Sequence, residues 1–230
     1  MFDALNNPGA SLFKMRMAGD RIIVWIGLFF LVGIMFHLIP ALSPLSRHIT
    51  GPFLLAVNIL VVIRVLRKNR RRIFIALFLG ALIFTFLAEA AGVRTGEIFG
   101  PYGYGSIFKV QLLEVPLIIP LNWVILVLGM TSLAGTFRLP AWTIPFFAAF
   151  GLVLFDYTME PVAVRLDYWS WRNGEIPIRN YLAWFIIGVF LSSATLISGV
   201  NLKQKIIRYY VLIQGFFFLT LNVFFRWFYA

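Results

Sequence analysis

PAWTIPFFAAFGLVLFDYTMEPVAV, residues 140–164, is a mostly apolar run that contains two carboxylates, Asp156 and Glu160. The run is long enough to cross a bilayer, since a helix needs roughly 20 apolar residues to span the hydrocarbon. A carboxylate inside the membrane is costly, and such residues usually face a bundle interior or a cavity. The stretch therefore predicts a membrane-spanning helix and a polar site inside the protein.

Similar runs recur along almost the whole chain of 230 residues, which is 61% hydrophobic and 13% charged. Open strands would leave backbone groups unsatisfied in lipid, and the runs lack the alternation of barrel strands, so each run is predicted to be helical. We predict an all-α polytopic membrane protein, with a cytoplasmic tail (residues 1–20) and a single transmembrane helical domain (residues 21–230). The seven predicted spans are 21–41, 51–66, 73–93, 112–134, 140–164, 178–199 and 206–228.

The formal net charge is +11, and the positions of the basic residues carry more information than their sum. They concentrate in the tail, in RKNRRR (67–72), at Arg138 and in residues 203–208. By the positive-inside rule these segments are cytoplasmic, which predicts an N-terminus inside and a C-terminus outside. The predicted location of this multi-pass protein is the plasma membrane. RKNRRR is interpreted as a topology determinant, so no nucleic-acid partner is expected.

Several polar side chains are predicted to approach one level in the outer part of the membrane. Glu89 and Asp156 each lie 16 residues from the inner end of their span, about 24 Å along the helix. The other polar side chains near this level are His37, Glu114, Asn180 and Asn222. An interfacial polar belt remains the alternative for single members of the group.

Asp156 and Glu160 are four residues apart, so both lie on one helical face with Cβ atoms about 5–6 Å apart. Two like charges in a poorly hydrated pocket cannot readily both ionise, so one carboxyl is expected to keep its proton beside an ionised neighbour. Pro161 removes one backbone hydrogen bond and is expected to kink the helix and open a cavity.

GVRTGEIFGPYGYGSIFK, residues 92–109, is too irregular to cross lipid and is predicted to form a re-entrant or lid loop over the outer mouth of the bundle. Its glycine spacing matches neither a dinucleotide fingerprint nor a phosphate-binding loop. RLDYWSWRNGEIP, residues 165–177, is predicted on the same side. Trp169 in that loop is either part of an aromatic belt or a substrate contact.

The residue inventory narrows the chemistry. There are no cysteines, which excludes thiolate metal sites and cysteine nucleophiles, and two histidines without a metal-binding spacing predict no metal site. The last span has no lysine for a retinal Schiff base, and no GxSxG elbow is present. Carboxylate acid–base chemistry remains, for example protonation of an alkene to a tertiary cation that aromatic faces stabilise. The aromatic candidates are Trp123, Tyr157, Trp169 and Trp184.

Four motifs occur in order: EAAGVRTGEIFGPYGYG (89–105), VPLIIPLNW (115–123), DYTMEPVAV (156–164) with YWSW (168–171), and IPIRNYLAWF (176–185). Together they resemble the carotenoid biosynthesis membrane family that includes CruF-type carotenoid 1,2-hydratases and bisanhydrobacterioruberin hydratase. The resemblance implies addition of water to the terminal C1–C2 double bond of an acyclic carotenoid, lycopene-like or a bacterioruberin precursor. The expected product is a tertiary alcohol.

The resulting hypothesis assigns catalysis to Asp156, Glu160 and Glu89, with Arg94 and Asn180 orienting the acids or the water. The other predicted substrate contacts are Trp184, Trp123, Tyr157, Tyr102, Trp169, His37 and Asn222. No cofactor is predicted; the expected partners are a lipophilic carotenoid, membrane lipid and other carotenoid biosynthesis enzymes. Two alternatives stay open, a lycopene-type cyclase that shares the protonation step and a transporter or carotenoid-binding scaffold.

Overall fold

The computed structural model describes residues 8–199 and 204–228, and its side chains from residue 21 onward. Within these ranges the chain forms seven α-helices, and the all-α prediction is confirmed. The helices are α1 (Pro8–Leu38), α2 (Ser43–Lys68), α3 (Arg72–Thr95), α4 (Ile118–Ala134), α5 (Ile144–Arg165), α6 (Ile178–Ile197) and α7 (Lys205–Phe228). Six of these seven, all except α4, are long and apolar enough to span a membrane.

Two predicted boundaries differ from the structure. Helix α1 begins at Pro8, inside the segment predicted to be a tail, although its apolar part is Arg21–Leu38. The predicted start of the fourth span at residue 112 is wrong, because two short strands, β2 (Gln111–Leu112) and β3 (Val115–Pro116), form a hairpin there. Glu114 sits in the two-residue turn of this hairpin with φ 65° and is exposed, so its predicted position at the start of a membrane-spanning helix is also wrong.

Helix α4 lies at the centre of the bundle. It is apolar on all sides and packs against α2, α3, α5, α6 and α7. Most of its residues are buried, so neighbouring helices cover its apolar surface on every side. Helix α1 lies at the periphery, where it packs against α2 and α7.

Helices α5 and α6 approach closely at Gly188. A Cβ atom at this position would lie 2.9 Å from Leu152 Cδ1 and 3.1 Å from Ala149 Cα, so a larger residue would force the two helices apart. Small residues commonly allow such close approach between helices in membranes. This contact fixes the relative positions of two helices that contribute side chains to one site.

The loops that follow α3 and α5 meet at one end of the bundle. Helix α3 ends at Gly96, whose left-handed φ of 70° reverses the chain. Residues Tyr102–Tyr104 (β1) then pair antiparallel with Trp169–Trp171 (β4). The predicted lid therefore folds over the bundle as a short ladder. Helix α5 continues through Pro161 to Arg165, so the chain stays helical at Glu160.

Candidate active site

The β1–β4 ladder carries four aromatic side chains to the end of the bundle. Tyr102 lies opposite Trp171, and Tyr104 lies opposite Trp169. Alternate side chains of a strand point to the same face, so the two tyrosines project together and so do the two tryptophans. All four line an internal cavity. The spacings YxY and WxW thus place four hydrogen-bond donors above the helices.

Glu89 of α3 is surrounded by three donors, two from the ladder and one from α4. Its side chain is 5% exposed. The hydroxyls of Tyr102 and Tyr104 donate to Oε2 at 2.5 and 2.7 Å, and the indole Nε1 of Trp123 donates to Oε1 at 2.7 Å. Hydrogen bonds to a carboxylate favour its ionised form, so these contacts compensate part of the cost of burying a charge.

Asp156 and Glu160 lie side by side on α5. Both are buried, and the Nδ2 of Asn180 on α6 donates to Asp156 Oδ2 at 2.6 Å and to Glu160 Oε1 at 3.4 Å. Two indole nitrogens, from Trp169 and Trp171, donate to Glu160 Oε2 at 3.0 and 2.8 Å. The i, i+4 spacing therefore places two carboxyls side by side in the protein interior, where they share the Asn180 donor.

The three carboxyls are not equally satisfied. Glu89 and Glu160 each accept three hydrogen bonds, whereas Asp156 accepts one and its Oδ1 has no partner in the described part of the chain. Donors stabilise the charged form, and a fully buried carboxyl with few donors favours the neutral form. This asymmetry distinguishes Asp156 from the two glutamates.

The two tyrosines of the lid remain donors over the whole physiological range. Burial, followed by the negative charge of Glu89, raises the pKa of both Tyr102 and Tyr104 above the usual value of a phenol. Both groups lie in β1, outside the membrane-spanning helices. Their hydroxyl protons therefore stay in place and keep pointing at Glu89.

The carboxyls open onto a cavity of about 280 Å³ with largely apolar walls. Trp123 of α4 and Trp184 of α6 stack in its wall, with ring centroids 3.8 Å apart and planes 26° apart. The remaining walls come from α1, α2, α7 and the lid, including Phe30, Phe53 and Phe217. This combination of acids, indole faces and apolar walls suits a ligand without charge.

The cavity reaches the outside of the bundle between α1 and α2. Phe29, Val32 and Ile49 line it, yet these side chains are 54%, 51% and 47% exposed. Because they belong to membrane-spanning helices, their exposed surfaces face lipid rather than water. A ligand dissolved in the bilayer can therefore enter sideways.

The structure brings most of the predicted site residues together. The predicted residues that line the cavity are Glu89, Asp156, Glu160, Asn180, Trp123, Trp184, Tyr102, Trp169 and His37. The Nδ1 of His37 lies 2.7 Å from the Gly33 carbonyl oxygen on its own helix. Of the six residues predicted from shared depth, four line the cavity, namely Glu89, Asp156, Asn180 and His37.

Three predicted residues lie elsewhere. Arg94 is exposed at the end of α3 and is not part of the cavity wall in the described region. Tyr157 is 54% exposed on the lipid-facing side of α5, where its ring packs against Tyr181. Asn222 is buried, but it donates to the backbone carbonyl of Thr158 at 2.9 Å instead of facing the cavity. Helix rotation separates these side chains from the acids.

Sequence reasoning missed many residues of the cavity, and five of them carry hydrogen-bonding groups that matter for the site. They are Tyr104, Trp171, Asn58, Asn122 and Gln214. The first two were detectable from the YxY and WxW spacings, once the two loops are paired as strands. The three amides occur inside apolar helices, where any polar side chain signals a cavity or a buried contact.

No group of three or more His, Asp or Glu side chains among the described residues is close enough to hold a metal ion. The residues that contact the three carboxyls are neutral donors, namely two phenols, three indoles and one amide. The arrangement can therefore hold a proton and deliver it to a neutral ligand in the cavity.

Together, the fold and the site define a multi-pass membrane protein with three buried carboxyls, Glu89, Asp156 and Glu160, which we call the carboxyl cluster. This cluster faces an apolar, laterally open cavity. The chain belongs to the carotenoid biosynthesis protein family, whose model matches residues 50–229. It is 29% identical over 120 residues to the bisanhydrobacterioruberin hydratase of Haloarcula japonica, an alignment that covers 46% of this chain and 39% of that protein. The aligned region is thus less than half of the curated relative. No solved structure matches the chain.

Proposed function

We propose that this protein is a metal-independent carotenoid hydratase, a hydro-lyase that adds water to the terminal C1–C2 double bond of an acyclic carotenoid. The observation that carries the proposal is the unpartnered Oδ1 of Asp156, which is buried in an apolar cavity beside two carboxyls that each accept three hydrogen bonds. Family membership supports a role in carotenoid biosynthesis. The name of the Haloarcula japonica relative supports hydration as the reaction.

In this mechanism Asp156 is the proton donor. Its Oδ1 has no donor to stabilise a negative charge, so the proton resides there at neutral pH. Transfer of this proton to C2 uses the π electrons of the double bond and leaves a tertiary cation at C1. The Asp156 carboxylate that results accepts the hydrogen bond of Asn180.

Glu160 is the base that completes the addition. A water oxygen forms a bond to C1, and the proton that this oxygen releases passes to Glu160. Asp156 and Glu160 lie one helical turn apart and line the same cavity, so a proton returns from Glu160 to Asp156 through a water molecule in the cavity and restores the starting state. Glu89, held in place by three donors, lines the same cavity as the carboxyl pair.

Aromatic faces stabilise the cation without reacting with it. The stacked pair Trp123 and Trp184 lines the cavity beside the acids, and the indoles of Trp169 and Trp171 lie on the lid side. Cation–π attraction is strongest for tryptophan and in sites from which water is excluded. The aromatic walls therefore suit a neutral substrate that becomes a cation during the reaction.

Only one end of the substrate enters the cavity. A volume of about 280 Å³ is at the lower limit for pockets that bind a drug-sized ligand, whereas a carotenoid is a long rod. The opening between α1 and α2 lets the polyene extend into the bilayer while its end group reaches Asp156. Membrane lipid and other carotenoid biosynthesis enzymes are the expected partners that deliver and receive such a molecule.

The membrane orientation is part of the proposal. We infer a plasma-membrane location in which residues 67–72 face the cytoplasm, so the lid lies on the outer side. A reporter enzyme fused after Phe228 tests this directly. Activity of a reporter that works only outside the cytoplasm is expected, and activity of a strictly cytoplasmic reporter would reverse the orientation.

The reaction is tested by expressing the full chain in a bacterium that makes lycopene and measuring the mass of the pigment. A gain of one water supports the hydratase, whereas unchanged mass with altered retention indicates a cyclase. Untouched pigment, also when a bacterioruberin precursor is supplied, would favour transport or scaffolding. Asp156→Asn should abolish the product, and Glu175→Gln, which changes an exposed carboxyl in the same way, should leave it unchanged.

A further inference from the structure

A second polar cluster lies in the wall of the same cavity. Asn58 of α2, Asn122 of α4 and Gln214 of α7 all line it. The Oδ1 of Asn122 accepts from Asn58 Nδ2 at 3.5 Å and from Gln214 Nε2 at 3.1 Å, and Tyr210 donates its hydroxyl to Asn58 Oδ1 at 2.5 Å. We call Asn58, Asn122 and Gln214 the amide cluster. It is neutral, unlike the carboxyl cluster.

The amide cluster has hydrogen-bonding capacity that the protein does not use. The side chain of Gln214 is 2% exposed, yet its Oε1 has no partner in the described part of the chain. A buried polar atom without a partner is costly, so an amide oxygen that finds no donor within the protein has room for a donor from a bound molecule such as water. The hydrogen bonds of Asn122 engage its Oδ1, which leaves its Nδ2 as a donor for the same ligand.

The amide cluster and the carboxyl cluster meet on α4. Trp123 donates to Glu89, and the preceding residue, Asn122, belongs to the amide cluster. Consecutive residues of a helix point about 100° apart, so these two side chains serve different parts of one cavity. The carboxyls come from α3 and α5, whereas the other amides come from α2 and α7. An end group in the cavity would therefore have acids on one side and amides on another.

We propose that Gln214 and Asn122 hold the water molecule that adds to the cation, an inference that rests on the hydratase function proposed above. An amide pair offers one acceptor and one donor, which is what orients a water molecule. Neither group can protonate the alkene or capture the cation as a carboxylate would. The water oxygen bonds to C1, and its released proton passes to the carboxyl cluster, so atoms and charge balance.

The amide cluster then decides the fate of the cation. Water held beside C1 traps the cation as a tertiary alcohol. Without that water, the cation loses a proton from a neighbouring carbon or reacts with another double bond, and both outcomes leave the mass of the substrate unchanged. Gln214 is thus a specificity-determining residue that separates hydration from isomerisation or ring closure.

The test uses membranes that contain the full chain, incubated with lycopene, or with the substrate on which the wild type proves active, in D₂O. Gln214→Met removes the amide at similar length, and Gln204→Met is the matched control, since Gln204 is equally buried but lies outside the cavity wall. For Gln214→Met we expect the hydrated share of the product to fall about two- to tenfold, the effect of one lost hydrogen bond between neutral groups. Deuterium should still enter the recovered, unhydrated pigment, because Asp156 continues to protonate it.

The outcomes are separable. An unchanged hydrated share in Gln214→Met overturns the proposal, and so does a parallel loss of hydrate and of deuterium incorporation, which would make Gln214 a support of the acids or the fold. If Gln214→Met does not accumulate in the membrane, Asn122→Leu is measured in the same way. Its hydrated share and its deuterium incorporation then decide the proposal by the same criteria. If the wild type adds no water to any acyclic carotenoid offered, the proposed function itself fails.

Discussion

Tyr102 and Trp171 lie opposite each other in the β1–β4 ladder, with ring centroids 5.3 Å apart, and they donate to different carboxyls. Tyr102 donates to Glu89 on α3, and Trp171 donates to Glu160 on α5. The ladder therefore links two acids from separate helices through one pair of strand residues. The position of the lid and the geometry of the carboxyl cluster are consequently set together.

Removing one indole donor should weaken catalysis without removing an acid. Trp171→Phe keeps an aromatic ring but deletes the 2.8 Å hydrogen bond to Glu160. Hydrogen bonds to charged groups are worth about 1.5–3 kcal/mol, so the rate of product formation should fall about tenfold or more. Ser170→Ala, on the exposed side of the same strand, is the control and should retain full rate. Equal rates in both variants would show that the hydrogen bond from Trp171 to Glu160 does not contribute to catalysis.

The buried tyrosines should make stability depend on alkaline pH. Burial and the charge of Glu89 raise the pKa of Tyr104 in the folded protein, whereas unfolded tyrosine ionises near pH ~10. Above that pH the unfolded state binds fewer protons than the folded state, so the free energy of unfolding falls as pH rises. Below it, Tyr104 is protonated in both states and contributes no pH dependence.

This dependence is measurable as the melting temperature of the detergent-solubilised protein across the alkaline range. Tyr104→Phe should show a shallower decline than the wild type, even though the lost hydrogen bond to Glu89 lowers its stability at neutral pH. Tyr209→Phe, at an exposed position, should keep the wild-type slope. Parallel declines in all three proteins would contradict the prediction.

Blocking the lateral opening should slow access of the substrate. Val32 lines the cavity and is 51% exposed on α1, so Val32→Trp would fill the gap between α1 and α2. Product formation should fall several-fold at low substrate and recover partly as substrate in the membrane increases. Val24→Trp adds the same bulk on the same helix, away from the cavity, and should behave as the wild type. Similar losses in both variants would indicate a different entry route.

The sequence predicted the helices and several acids because both depend on local or one-dimensional information. Apolar runs of sufficient length must be helical in lipid, and distance along a helix gives depth. Glu89 and Asp156 were placed at one level in this way, and both line the cavity. Asn180, counted from the opposite end of its helix, contacts Asp156 directly.

Rotation about the helix axis and pairing between distant loops were not predictable in the same way. Tyr157 follows Asp156 in the chain but faces lipid, since adjacent helical residues point about 100° apart. Tyr104 and Trp169 are far apart in sequence, and only their strand pairing brings them to the same cavity. The start of α4 was missed because the hairpin at residues 111–116 is itself rich in apolar residues and extends the hydrophobic run.

Two asparagines that appeared similar by depth provide the most direct test of this difference. Asn180 donates one amide nitrogen to both Asp156 and Glu160, whereas Asn222 donates to a backbone carbonyl outside the cavity. Asn180→Leu leaves two buried carboxyls without their shared donor, so product formation should fall at least about tenfold. Asn222→Leu breaks a hydrogen bond of similar length at a buried site, and we expect some loss of stability with the rate per folded molecule retained. Pigment analysis normalised to the amount of folded protein measures both effects. Equal losses of rate in the two variants would mean that the contact of Asn180 with the carboxyls is not what makes it important for catalysis.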